Sequence, residues 1–106
     1  MAMIDWARVD ELRTEIGEDD FAEIAGLFLE ELAEATGGLA TLRDPTALSD
    51  AYHGLKGAAL NLGFSRLAEL ATAAEQDPSS ADPGAISAVC QSSAKALLDR
   101  HPGIAS

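Results

Sequence analysis

The sequence has 106 residues, 47% of them hydrophobic, a formal net charge of −11 and a single cysteine, Cys90. That length fits one globular domain, 1–106, and the apolar share excludes a disordered chain. The acidic surface repels nucleic acid and anionic membranes, and one cysteine rules out an internal disulfide or a cysteine metal cage.

The first fifteen residues, MAMIDWARVDELRTE, lack the charged stretch and apolar core of a signal peptide. No apolar run approaches the roughly 20 residues that cross a bilayer. The expectation is a soluble, cytoplasmic protein in reducing surroundings. Val9, Leu12 and Ile16 mark a short first helix. Phe21, Ile24, Ala25, Phe28, Leu32, Ala35, Leu39 and Leu42 then keep steps of three or four, one face of a long second helix. Gly37-Gly38 is a weak point in it, read as continuous helix with a break as the alternative. The acidic runs Glu18-Asp19-Asp20 and Glu30-Glu31-Leu32-Ala33-Glu34 read as helix starts and solvated faces. Asp44-Pro45 caps and starts a third helix over about 45–62, which Gly63 stops. Ser65 is placed to cap a fourth helix carrying Phe64, Leu67, Leu70 or Ala71, and Ala74. Asp82-Pro83 repeats the cap-and-proline start for a fifth, which uses Ile86, Val89 or Cys90, Ser93 and Leu97 and ends at His101-Pro102-Gly103. Nothing alternates with period two. The predicted fold is all-α: an antiparallel up-down-up-down four-helix bundle with a short additional N-terminal helix.

On a helical wheel of 45–62, Leu48, Ala51, Leu55, Ala58 and Leu62 form the core stripe, with Ala59 on its flank. His53 falls nearly opposite. Ser49, Gly57 and Leu60 share its line, and Lys56 is its cationic neighbour three residues on. An ordinary surface histidine would explain the position. The surroundings point further: Gly57 leaves the space beside the imidazole empty although it weakens the helix, Lys56 is placed to meet an anion on the ring, and Leu60 is apolar and outward. Such a patch reads as a docking surface. Gly54 lies on the flank, where it eases access or packing.

These residues carry a resemblance. His53-Gly54-Leu55-Lys56-Gly57, followed by Asn61-Leu62-Gly63, is similar to the H-x-L-K-G signature of histidine phosphotransfer (HPt) domains, and the five predicted helices follow that family along nearly the whole chain. Gly54, often Ser, Thr or Ala in the family, and Gly37-Gly38 depart from its pattern. The resemblance implies a phosphorelay intermediate without kinase activity of its own. His53 would accept a phosphoryl group from a receiver-domain aspartate and pass it to another receiver. Lys56 would offset the phosphoryl charge, and Ser49, Gly57 and Leu60 would line the docking face. The implied partners are response-regulator receiver domains and a hybrid histidine kinase. The chain itself would need no cofactor, since Mg²⁺ would sit on the receiver, and it is expected to be a monomer.

Other functions fit less well. There is no phosphate-binding glycine loop and no room for a nucleotide domain. Asp50-Ala51-Tyr52-His53 imitates half of a di-iron motif, but the second half is missing and His53 faces outward, so no metal site is expected. His101, before Pro102, reads as a residue serving the last helical carbonyls, and Asn61 as polar surface. The alternative from another class is a non-catalytic helical adaptor or degenerate interaction module, in which His53 is only a contact residue.

Overall fold

The computed structural model describes residues 3–105, and among them are five α-helices and no strand. The helices are α1 (Trp6–Ile16), α2 (Glu18–Gly38), α3 (Pro45–Leu62), α4 (Ser65–Gln76) and α5 (Pro83–Arg100). Short polar side chains start three of them. The Asp5 carboxylate accepts from the Arg8 N–H at 3.2 Å, Asp44 from Ala47 at 3.2 Å, and Asp82 from Gly84 and Ala85 at 3.0 and 3.2 Å. Each bond satisfies a donor that the helix itself leaves open. Glu18, Asp19 and Asp20 fill the first turn of α2, where the helix dipole favours negative charge.

Gly37 and Gly38 are the last two residues of α2 and stay helical, so the chain does not break at the pair, but α2 ends there instead of running on to Leu42. The chain tightens into a 3-10 turn at Leu39–Thr41, anchored by buried Leu39, and the Thr41 hydroxyl donates to the Gly38 carbonyl at 2.8 Å. Gly63 stops α3 in the left-handed conformation, φ +83°, as the sequence predicts. Ser65 does not cap α4. It is the first helical residue, Phe64 stands at the cap without a side-chain bond, and the Phe64 N–H returns to the Ala59 carbonyl at 2.8 Å. The two-residue connection is too tight for a serine cap.

Helices α2, α3, α4 and α5 form a closed ring of neighbours, with α1 laid across α2 and α3. The core inside the ring includes Phe21, Leu32, Tyr52, Leu55, Leu62, Leu67 and Leu97. Helix α3 packs more closely along α4 than along α2. That rotates its core stripe from the predicted one: Tyr52, Leu55, Ala59 and Leu62 are buried, while Leu48, Ala51 and Ala58 are only half-buried. The N-terminal segment locks the end of α3. The Asp5 N–H donates to the Gly63 carbonyl at 2.7 Å, the Arg66 N–H to Met3 at 3.2 Å, and Arg8 Nε to the Asn61 carbonyl at 3.2 Å.

His101 does not serve helix carbonyls with its ring. The imidazole packs edge-on to Phe21, with centroids 5.6 Å apart, and against Trp6 at 6.3 Å, and its buried Nε2 has no hydrogen-bond partner among the described residues. No helix among the described residues is long and apolar enough to cross a membrane.

Candidate functional site

Tyr52 and His53 are adjacent on α3 and face opposite ways. Tyr52 is fully buried, and burial, followed by the nearby Asp82 charge, pushes its phenol pKa upward. A large buried ring fixes the rotation of α3 about its axis. That rotation leaves the His53 side chain 72% exposed.

The imidazole is held from the neighbouring helix. His53 Nδ1 lies 2.9 Å from Glu75 Oε2 on α4, and the Glu75 side chain is 29% exposed. An ionised carboxylate only accepts hydrogen bonds, so Nδ1 carries the proton and donates. In the neutral ring this leaves Nε2 as the nitrogen with a free lone pair, pointing away from the backbone toward solvent. The sequence reading gave Glu75 no role, because it is 22 residues from His53. His53 and Glu75 lie at nearly equal separations on either side of the Gly63 turn, which brings them level in a helical hairpin, a pairing that spacing within one helix does not mark.

The remaining residues singled out from the sequence fall around this pair. Ser49 is half-buried and its hydroxyl donates a long bond, 3.5 Å, to the Glu75 carbonyl. Gly57 is exposed, and a Cβ built on it meets nothing within 4 Å. Leu60 is 52% exposed, one of three large hydrophobic side chains left open among the described residues. Lys56 is half-buried and makes no ion pair among the described residues, unlike Arg8, Arg13, Arg66 and Lys95. Its ammonium is not committed to another carboxylate. Lys56 and Leu60 line a groove of about 510 Å³ along the α3–α4 seam, floored by Ala68, Thr72 and Ala73.

Among the described residues no group of three or more His, Cys, Asp or Glu is arranged to hold a metal ion. Cys90 is buried, and burial pushes its thiol pKa upward, so it stays a thiol against Thr36. The chemistry available on the surface is therefore a single oriented imidazole, with a carboxylate behind it and an uncommitted cation beside it.

The Hpt domain family model matches the chain over residues 7–100. The chain belongs to the Hpt domain family, the histidine phosphotransfer modules of phosphorelays, which interact with receiver domains and histidine kinases. Among curated proteins and among solved structures, none matches the chain significantly.

Proposed function

We propose that this chain is a phosphoryl carrier in which His53 Nε2 is the acceptor. One observation carries the reading: the Nδ1–H bond to Glu75 at 2.9 Å, which turns the other ring nitrogen outward. In the forward step the Nε2 lone pair attacks the phosphorus of a receiver's aspartyl phosphate. A P–N bond forms, the P–O bond to the aspartate breaks, and the aspartate leaves as a carboxylate. The Nδ1 proton stays between the ring and Glu75, so the positive charge gained by the phosphorylated ring faces a carboxylate. Transfer to a second receiver reverses the same steps with a new acceptor oxygen.

Lys56 offsets the added negative charge. An opposite charge at about 4 Å is worth roughly 1 kcal/mol in water and about 4 kcal/mol at an effective dielectric of 20, so its help grows when a partner covers the site. Gly57 clears the approach and Leu60 supplies apolar contact. The divalent cation and the second carboxylate belong to the receiver in this reading, and the chain contributes an oriented nucleophile without kinase activity.

The test is transfer from a phosphorylated receiver to the wild-type chain and to His53→Gln. The expected result is an acid-labile, base-stable adduct on the wild type and none on the variant, with both melting alike. No adduct on the wild type with any receiver of the source genome would favour the adaptor reading.

A further inference from the structure

His101 is the second of the chain's two histidines, and the phosphocarrier chemistry does not use it. It stands at the C-cap of α5, with φ −129° and ψ 70°. Pro102 follows, and a residue before proline is turned away from helical geometry, so α5 ends at this point. The chain then folds into a short turn, Pro102–Ala105, in which the Ile104 N–H donates to the His101 carbonyl at 3.1 Å. This turn lies on α2 as a strap. The Ile104 carbonyl oxygen is 3.8 Å from the place a Cβ would take on Gly26, and the Ile104 side chain packs against the core. At the other end of the strap the His101 ring is wedged against Phe21 and Trp6.

The wedge suits a neutral imidazole. Nε2 is buried with no hydrogen-bond partner among the described residues, so a proton placed there has no acceptor. The surroundings are cationic on two sides. The Arg13 guanidinium, from α1, stands 6.0 Å from the centre of the Phe21 ring, and that of Arg100, from α5, stands 4.4 Å from the centre of the Trp6 ring. The carboxylates that face the imidazole are Asp10 of α1 and Glu18 of α2, and both already pair with Arg13, at 3.3 and 2.7 Å. Asp19 of α2 lines the same pocket. Burial first, then the charges of Arg13 and Arg100, outweigh Glu18 and Asp10 and hold the His101 pKa below its ordinary value. A proton therefore binds the unseated, hydrated ring more tightly than the seated one, and acid favours the unseated state.

We propose that His101 is a proton-operated latch: at neutral pH its ring pins the C-terminal turn to α2, and in mildly acid solution the imidazolium leaves its place and the turn swings away at the His101–Pro102 junction. Release uncovers Phe21 and Ala22, which line the pocket under the turn, and Gly26 beside them. None of these residues lines the α3–α4 groove that carries Lys56 and Leu60, so the latch works apart from the phosphoacceptor face.

The test uses the full chain carrying His53→Gln, which leaves His101 as the one imidazole that titrates. Backbone order parameters of Gly103 and Ile104 are measured by nitrogen-15 relaxation at pH 7.5 and 5.0, both above the ordinary carboxylate range. Nitrogen-15 shifts of the ring follow its protonation through the same interval. The order parameters of the turn should fall from about 0.85 to below about 0.6 as the ring takes up its proton, while those of the five helices hold. His101→Phe in the same chain keeps an aromatic wedge that cannot be charged, and its turn should stay ordered at both pH values. A turn that stays ordered at pH 5.0 in the parent chain would overturn the latch, whether or not the ring has titrated. An equal loss of order in His101→Phe, or a loss shared by the helices, would overturn it too, because the release would then owe nothing to this imidazole.

Discussion

Gly57 separates stability from function with one series of substitutions. It lies one turn beyond His53 on the exposed line of α3, with helical φ and open space where a Cβ would stand. Side chains at i and i+4 have Cβ atoms roughly 5–6 Å apart. Gly57→Ala therefore gains helix propensity without a clash, about 0.8–1.0 kcal/mol. For a domain of this size that raises the melting temperature by roughly 4–8 °C. Gly57→Gln and Gly57→Leu gain most of the same propensity, so they too should melt above the wild type. Their bulk, however, stands where an aspartyl phosphate must approach Nε2. A displacement of about 1 Å at a reacting centre costs on the order of a hundredfold in rate. The assay is paired: melting temperature by circular dichroism, and transfer rate from a phosphorylated receiver, for Gly, Ala, Gln and Leu at position 57. Stability should rise while the rate falls with side-chain size. Wild-type transfer by a folded Gly57→Leu would refute the claim that this glycine clears the approach.

Three further outcomes follow from the same geometry. Lys56→Ala should slow transfer or shorten the phosphohistidine lifetime without abolishing acceptance, most strongly at low ionic strength; identical kinetics at low salt would remove Lys56 from the mechanism. Gly63→Ala should lower the urea midpoint by an amount equal to about 2 kcal/mol or more, because φ is +83° and the new Cβ would lie 2.8 Å from the Asp5 carbonyl oxygen; a neutral result would mean that the α1–α3 junction yields easily. Burial first, then the charges of Arg13 and Arg100 against those of Glu18 and Asp10, leaves the His101 pKa below its ordinary value. The unfolded chain then binds the proton first as pH falls, so stability should drop through about pH 6.5 and level off below the folded value. Urea unfolding of His53→Gln at pH 7.5 and 5.5, compared with the same chain also carrying His101→Gln, isolates this residue; equal pH sensitivity in the two would contradict it.

Local chemistry was legible in the sequence, and the choice of neighbours was not. Asp44-Pro45, Gly63 and Asp82-Pro83 set helix ends through bonds to atoms a few residues away, and the helices begin and end there. The outward face of His53 followed from helical spacing alone. The core stripe was misplaced by part of a turn, because a wheel shows which residues are apolar but not that α3 leans on α4 and buries Tyr52 and Ala59. Ser65 failed as a cap for a similar reason, since the Gly63 turn consumes the residue that a cap needs. Glu75 was invisible to any local pattern. Its role depends on two helices meeting across a turn, and one carboxylate among 18 acidic residues carries no mark of its own.

The most direct test of the account is which ring nitrogen becomes phosphorylated. Nitrogen-15 and phosphorus-31 spectra of the phosphorylated chain distinguish the two isomers of phosphohistidine. With Nδ1–H held by Glu75 at 2.9 Å, the phosphoryl group should sit on Nε2 of His53, and the Nδ1 proton should remain detectable. A phosphoryl group on Nδ1, or on any residue other than His53, would contradict it.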